Sequence, residues 1–220
     1  MNRKKDIIKI IDSISGKYSA YEVFTDWIRC SSLAISNSCQ MIHDKVWQER
    51  EQMYKDTMRK YLPDERQKFV EMYVLLAETL KTEMSDVLGE IYMESGMGSK
   101  AAGQFFTPFH LSAACAELVI PELDGTGKIS INEPSCGGGG MIIAAALILK
   151  KRGYDYKRVM EVVAQDLDWK GVYMCYLQLS LLGISAICVQ GDTLSEPYIP
   201  RVTEKSHILV TPKKAGVLLW

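Results

Sequence analysis

The chain has 220 residues, enough for one large domain or for one domain with a helical extension. Its formal net charge of −1 disfavours a stand-alone nucleic-acid-binding protein, because such proteins usually carry a basic excess. No apolar stretch is long enough for a transmembrane helix, and charged residues interrupt the apolar part of the N-terminus, which excludes a signal peptide. We therefore expect a cytoplasmic protein with no membrane contact.

The six cysteines are scattered along the chain and form no CxxC pair. No histidine stands at zinc-ligand spacing from any of them. We therefore predict free, mostly buried thiols in a reducing cytosol, and no metal site.

Residues 1–97 predict one helix after another. Apolar side chains recur at three-to-four spacing in residues 18–42 and again in the charged stretch 44–62. Pro63 breaks this pattern and opens the next helix, and Gly96 ends a shorter one over residues 84–96. The aromatic side chains are interpreted as the core of a helix bundle. This stretch is therefore predicted to be an all-α N-terminal region.

Residues 98–220 have a different pattern of apolar residues. A loop rich in small residues precedes a helix over residues 109–120, and after it short apolar strands alternate with helices. The predicted strands cover residues 128–133, 159–168, 185–192 and 206–210, and the predicted helices between them end at Gly153 and Gly183. This alternation predicts an α/β domain with a parallel sheet covered on both faces.

The unusual residues of this domain follow the predicted strands. Four consecutive glycines, residues 137–140, come after the first strand and leave the backbone open to close approach by a ligand. Asp166 closes the second strand, Asp192 the third, and Thr211 with Pro212 the fourth. Because ligands of parallel sheets bind beyond the carboxyl ends of the strands, we expect a ligand site where these residues meet.

Two common phosphate-binding motifs do not fit the glycines. A Walker loop ends in Gly-Lys-Ser/Thr, whereas Met141 follows the glycines here. A dinucleotide fingerprint needs an acidic residue about 20 residues further on. Asp166, the nearest candidate at the end of the second strand, is too distant in sequence, so neither ligand class is favoured.

Four motifs occur in order: "GQFFTP" from residue 103, "EPSCGGG" from residue 133, "VAQDLD" from residue 163 and "GDTL" from residue 191. This arrangement resembles the adenine-specific N6 DNA methyltransferases, in particular the modification subunit of type I restriction systems. The resemblance implies a Rossmann-like methyltransferase fold with S-adenosylmethionine as cofactor. About three further strands of that fold are absent, so we expect it to be incomplete at the C-terminus.

The resemblance also implies a role for each motif. The residues that would pack against the methionine end of the cofactor are Gly103, Gln104, Phe105, Phe106, Thr107 and Pro108. Those of the glycine turn under the same portion are Glu133, Pro134, Ser135, Cys136, Gly137, Gly138 and Gly139. Asp166, with Leu167 beside it, would accept hydrogen bonds from the ribose hydroxyls, and Asp192 with Thr193 would contact the adenine edge. Taken singly, Asp166 could be a helix N-cap and Asp192 a turn residue.

The catalytic motif departs from the family pattern. The family has Asn/Asp/Ser-Pro-Pro-Tyr/Phe after the fourth strand, whose oxygens accept from the adenine N6 hydrogens and whose ring stacks on the flipped base. Here Thr211 and Pro212 match the first half, and Lys213 and Lys214 replace the second proline and the ring. Lysine offers only donors and cannot hold the adenine amine.

Three functions therefore stay open at this point. The first is S-adenosylmethionine-dependent adenine-specific DNA N6-methylation, with Thr211 and Pro212 as the catalytic residues. The second is a catalytically impaired cofactor-binding module that acts through a partner, and the third is a methyltransferase for another substrate. The expected partner is DNA, reached directly or through a specificity subunit, and the oligomeric state stays open.

Overall fold

The computed structural model describes residues 2–97, 106–124 and 127–217. Five helices cover the N-terminal part: α1 (Arg3–Ile14), α2 (Ala20–Ser38), α3 (Lys45–Met58), α4 (Pro63–Thr82) and α5 (Val87–Glu94). Side chains cap four of their N-termini: Asn2, Ser19, Asp44 and Asp86 accept from the backbone N–H of the third residue beyond each. The all-α N-terminal region is confirmed in these residues.

Helices and strands alternate after α6 (Phe109–Val119). The elements that follow are β1 (Ile129–Glu133), α7 (Gly140–Lys151), α8 (Tyr156–Val159), β2 (Met160–Asp166), α9 (Trp169–Leu182), β3 (Ser185–Gln190), a 3₁₀ turn (Lys205–His207), β4 (Ile208–Val210) and α10 (Pro212–Ala215). Gly96, Gly153 and Gly183 all have positive φ and stand just after helices, which confirms them as stop signals. None of the described helices is long and apolar enough to span a membrane.

The sheet has the order β1-β2-β3-β4. β1, β2 and β3 are parallel, as the alternating pattern predicts. The prediction of a wholly parallel sheet is wrong for β4, which pairs antiparallel with β3: Ile187 lies opposite Val210, and Val189 opposite Ile208. The chain therefore reverses direction between β3 and β4.

The reversal moves the segment after β4 to the opposite end of the sheet. Thr211 Oγ1 donates to the carbonyl of Ile184 at 2.8 Å and accepts from the N–H of Ala186 at 2.9 Å, at the amino end of β3. The expectation that Thr211 and Pro212 meet the other motifs at the carboxyl ends of the strands is therefore wrong. Both residues are buried, and Thr211 is 0% exposed.

The helical part and the sheet share one buried cluster of apolar side chains. Helix α9 lies between them and packs against β2 and β3 on one side and against α2 on the other. Twelve of its 14 residues are buried, which explains why its apolar residues show no single face. The Ser32 hydroxyl of α2 donates to the carbonyl of Tyr173 in α9 at 3.1 Å, and so joins the two parts.

Candidate cofactor site

The glycine turn after β1 is built on the ends of the two neighbouring strands. The Cys136 N–H donates to the Gln165 carbonyl at 2.9 Å, which extends the β1–β2 pairing into the turn. The Gly137 N–H then donates to Asp166 Oδ2 at 2.8 Å. Gly137 and Gly139 have φ of +49° and +91°, a backbone region that favours glycine. The turn therefore folds over the Asp166 carboxylate and leads into α7.

Asp166 holds this turn and the one after β2. Its Oδ1 accepts from the N–H of Asp168 at 3.0 Å, in addition to the bond from Gly137. The N-cap of α9 is Asp168, so Asp166 is not a helix cap. An ionised carboxylate has about four lone-pair sites, and the side chain of Asp166 lines a cavity, so it can accept further hydrogen bonds there.

The loop after β3 joins the same edge of the sheet. The Thr193 hydroxyl donates to the carbonyl of Pro134 at 2.7 Å, and the Gln190 side chain donates to the carbonyl of Leu167 at 2.9 Å. Asp192 is exposed and accepts from the Leu194 N–H at 2.9 Å, a bond that lowers the pKa of its carboxyl. In this structure Asp192 thus has the contacts of a turn residue.

The upstream motif is described in part. Phe106 packs edge-on against Tyr92, with ring centroids 5.3 Å apart, and its ring faces the glycine turn. A Cβ added to Gly137 would come within 2.8 Å of the Phe106 ring. Thr107 and Pro108 are exposed, and Thr107 reaches the cavity. Gly103, Gln104 and Phe105 lie outside the described residues.

A cavity of about 190 Å³ lies over the glycine turn. Its lining brings together the predicted residues Phe106, Thr107, Ser135, Cys136, Gly137, Gly138 and Asp166. Glu133 stands half-buried beside it and accepts from the Ser135 N–H at 3.2 Å, and burial raises the pKa of the Glu133 carboxyl. Two described lining residues are carboxylates, and none of them is lysine, arginine or histidine. The cavity therefore suits a ligand with hydrogen-bond donors and positive charge.

Three buried polar residues of this site were not predicted from the sequence. Asp86 and Ser112 line the cavity, and Gln178 donates to the carbonyl of Gly138 at 2.7 Å. Asp86 shows only a capping signal in the sequence, and Ser112 and Gln178 stand inside helical apolar patterns. No periodicity distinguishes them from ordinary helix residues, so only the tertiary contacts reveal them.

A larger cavity, of about 360 Å³, lies between α2, α3 and the start of α9. Its polar lining includes Arg29 and Arg50, and the latter donates to the carbonyls of Lys205 and Ile208. The four motifs contribute none of its described lining residues. Size alone therefore does not identify the site. The cavity over the glycine turn is distinguished by its lining, to which three of the four motifs contribute residues.

The site fits S-adenosylmethionine on three observations. The glycines leave a cradle whose space Cβ atoms would fill, the Ser112 hydroxyl is buried with no hydrogen-bond partner in the part of the chain that the structure describes, and two aspartates line the cavity. Carboxylates accept from ribose hydroxyls and attract a cationic ligand. For the described residues, no cluster of side chains could hold a metal ion.

Comparison with known proteins gives one family. The pattern of the N-6 DNA methylases matches residues 83–214. The methylase subunit of the type I restriction enzyme MjaIX from Methanocaldococcus jannaschii is 31% identical over 106 residues. That alignment covers 46% of this chain and 18% of the relative, so the chain spans only a small part of the relative's length.

Two solved structures are similar over most of the chain. One, a putative class I S-adenosylmethionine-dependent methyltransferase from Listeria monocytogenes, has a TM-score of 0.48 and 12% identity, over 95% of this chain and 66% of that one. The other, the methyltransferase subunit of a type I restriction-modification system from Streptococcus thermophilus, has a TM-score of 0.47 and 10% identity, over 91% and 59%.

Proposed function

The chain belongs to the N-6 DNA methylase family, and from this premise we propose that it binds S-adenosylmethionine over its glycine turn as part of an adenine-specific DNA N6-methyltransferase. S-adenosylmethionine is the cofactor of this family. The observation that carries the proposal is the meeting of separate motifs at one edge of the sheet. Phe106, Gly137 and Asp166 line one cavity there, and Thr193 ties the third loop to Pro134.

Each motif contributes one part of the binding site. The Asp166 carboxylate would accept from the ribose hydroxyls, and Leu167, which is 69% exposed, would offer an apolar surface beside it. The glycine turn and the Phe106 ring would hold the methionine end, with the ring face suited to a cation. Asp192 and Thr193 would contact the adenine edge. When bound, S-adenosylmethionine supplies an electrophilic methyl group on a cationic sulfur.

Calorimetric titration of S-adenosylmethionine and S-adenosylhomocysteine into the purified chain tests this proposal. We expect both to bind, and Asp166→Asn to weaken binding by about tenfold or more, because it removes a charged acceptor. Asp12→Asn is the matched control, since Asp12 is exposed on α1 and does not line the cavity. A folded chain that binds neither compound would contradict the proposal.

DNA recognition is proposed to come through a specificity subunit. With a formal net charge of −1, the chain alone has no general attraction for phosphate. We expect no gel shift of duplex DNA by the chain alone at roughly 150 mM salt, where weak phosphate contacts are screened. A retarded band under these conditions would show that the chain contacts DNA without a partner.

A cofactor-binding module without methyl transfer is the second candidate. The observation that favours it is the position of Thr211, whose hydroxyl is bonded to Ile184 and Ala186 at the amino end of β3. Lys214 lies at the same end and pairs with Glu161 of β2 at 3.1 Å. The catalytic assignment of Thr211 and Pro212 stays a prediction. Transfer of a labelled methyl group to unmethylated DNA by the chain with its partner would exclude this second candidate function.

A further inference from the structure

A buried carboxylate lies directly beneath the glycine turn. Asp86 is 4% exposed, although it belongs to the end of the helical region rather than to the sheet. A Cβ added to Gly138 would come within 2.7 Å of Asp86 Oδ1, and one added to Gly140 within 3.2 Å of Asp86 Oδ2. The absence of side chains in the turn therefore makes room for this carboxylate as well as for a ligand.

Gln178 of α9 fixes the orientation of Asp86. It is 0% exposed, and its amide nitrogen donates to Asp86 Oδ1 at 2.8 Å and to the Gly138 carbonyl at 2.7 Å. Its amide oxygen accepts from the Leu88 N–H at 3.1 Å. All three bonds agree with one orientation of the amide, so Asp86 and the glycine turn are held in a single arrangement.

Ser112 of α6 supplies an independent sign of a ligand. It is 0% exposed and lines the same cavity as Asp86, and its hydroxyl has no hydrogen-bond partner among the described residues. A buried hydroxyl without a partner is costly, so such a group in a native protein calls for an explanation, and a bound molecule supplies one here. The ligand that satisfies Ser112 must therefore bring a donor or an acceptor to this end of the cavity.

The charge of the cavity indicates which chemical group of the ligand binds beside Ser112. Asp86 and Asp166 are carboxylates, and no basic side chain stands among the described lining residues. A sulfonium is cationic but has no N–H or O–H to donate, and ribose hydroxyls donate but carry no charge. An ammonium group brings both the charge and three donors.

We propose that Asp86 and Ser112 hold the ammonium group of the methionine portion of S-adenosylmethionine, with Asp86 as its counter-charge and Ser112 as a hydrogen-bond acceptor. This inference rests on the proposed function, because it assigns two further residues to the same site. It also gives the helical region a direct part in cofactor binding, since Asp86 starts α5.

The structural role of Asp86 must be separated from this one. Asp86 caps α5 by accepting from the Gly89 N–H at 2.9 Å. Asp86→Asn removes the charge and puts an NH2 group in place of one oxygen, but it keeps the other oxygen for this cap, because asparagine is also a good N-cap. Asp44→Asn is the matched control: Asp44 caps α3 in the same way, by accepting from the Trp47 N–H at 3.0 Å, and it does not line the cavity.

The experiment is calorimetric titration of three compounds into the full chain. S-adenosylmethionine and S-adenosylhomocysteine carry the ammonium group, whereas 5′-methylthioadenosine keeps the adenine and ribose and lacks it. We expect Asp86→Asn to weaken the binding of S-adenosylmethionine and S-adenosylhomocysteine by about tenfold or more. The affinity for 5′-methylthioadenosine should stay unchanged. Asp44→Asn should change none of them. Ser112→Ala should weaken the binding of S-adenosylmethionine and S-adenosylhomocysteine, without lowering the melting temperature of the ligand-free chain.

The outcomes separate the two levels of the proposal. If the wild-type chain binds the compounds and Asp86→Asn leaves S-adenosylmethionine affinity within about twofold, the ammonium assignment is wrong and the proposed function stands. An equal loss of 5′-methylthioadenosine binding would reduce Asp86 to a structural role. A folded wild-type chain that binds none of the three would overturn the proposed function itself, and this assignment with it.

Discussion

Gly138 cannot carry a side chain without meeting the buried Asp86 carboxylate. The Asp86 carboxylate occupies the space where a side chain would point, and the Gly138 carbonyl accepts from the Gln178 amide. Both neighbours are buried and bonded to other groups, so neither can move without breaking those bonds. A single methyl group at this position is therefore expected to disturb the whole polar cluster.

We expect Gly138→Ala to lower the free energy of unfolding by about 1–3 kcal/mol, the usual cost of overpacking a well-packed interior. The same variant should lose measurable binding of S-adenosylmethionine. Chemical denaturation and calorimetry measure the two effects. Gly16→Ala is the control, since nothing lies within 4 Å of its added Cβ, and it should change neither quantity appreciably. Unaltered stability of Gly138→Ala would show that the turn can shift.

The buried charge of Asp86 also makes stability depend on pH. Burial raises the pKa of its carboxyl; the hydrogen bonds from Gln178 and Gly89 oppose this, Glu90 adds to it and Lys4 lowers it. Because the folded chain binds this proton more tightly than the unfolded chain, the contribution of Asp86 to stability falls as pH rises through its folded pKa.

Asp86→Asn should therefore stabilise the ligand-free chain more at about pH 7 than at about pH 4, because protonation of the wild-type carboxyl increases as the pH falls. Urea denaturation of both proteins at the two pH values measures the difference. Asp44→Asn, at an N-cap that lines no part of the cavity, is the control for the substitution itself. A difference that is larger at the lower pH would contradict the burial argument.

At the scale of elements, the direction of β4 separates two threonines that flank the same strand. Thr211 is bonded at the amino end of β3, and Thr193 lies in the loop beyond its carboxyl end. Each hydroxyl makes a hydrogen bond to a backbone carbonyl, but only Thr193 does so beside the glycine turn. The same substitution at the two positions should therefore have opposite consequences.

We expect Thr211→Val to lower the free energy of unfolding by about 1–3 kcal/mol, because it leaves buried backbone groups of Ile184 and Ala186 with fewer partners. Its cofactor affinity should be that of the wild type. Thr193→Val should weaken cofactor binding and change stability much less, since Thr193 is only half-buried. Thermal unfolding and calorimetry on both variants check this pair. Weakened binding by Thr211→Val at unchanged stability would place Thr211 at the site after all.

The elements themselves were predictable because their signals are local. Apolar periodicity located the long helices, and Gly153 and Gly183 marked their ends within a residue or two. The direction of β4 was not predictable: the strand has three residues, Ile-Leu-Val, whose pattern is the same in either direction. The motif residues were found by resemblance, whereas Asp86, Ser112 and Gln178 act through contacts between distant helices that no local pattern encodes.

At the scale of the whole molecule, the helical region packs against the elements that surround the sheet. Helix α9 is covered by α2, and Arg50 of α3 donates to the carbonyls of Lys205 and Ile208 next to β4. The division of the chain into residues 1–97 and 98–220 stays a prediction. The family match begins at residue 83, so α5 and its cap Asp86 fall on the methylase side.

We expect urea to unfold the chain in one cooperative transition, because one buried cluster runs through both parts. Far-UV circular dichroism reports mainly the helices. Tryptophan fluorescence reports the four tryptophans, which include Trp27 in the helical core and Trp169 at the start of α9. The two curves should coincide. Two separate midpoints would show that the regions unfold independently.

The burial of the cysteines has a practical consequence. All six lie in the described residues with free thiols, and Cys115 is the exposed one, whereas Cys136 of the glycine turn is buried next to Cys175. The hydrogen bond with the Cys175 thiol, together with burial, raises the pKa of Cys136 well above its usual value, so Cys136 stays a poor nucleophile toward alkylating dyes. A maleimide fluorophore should therefore attach to Cys115, one helical turn beyond Ser112, and give an optical reporter of cavity occupancy without a substitution in the native chain.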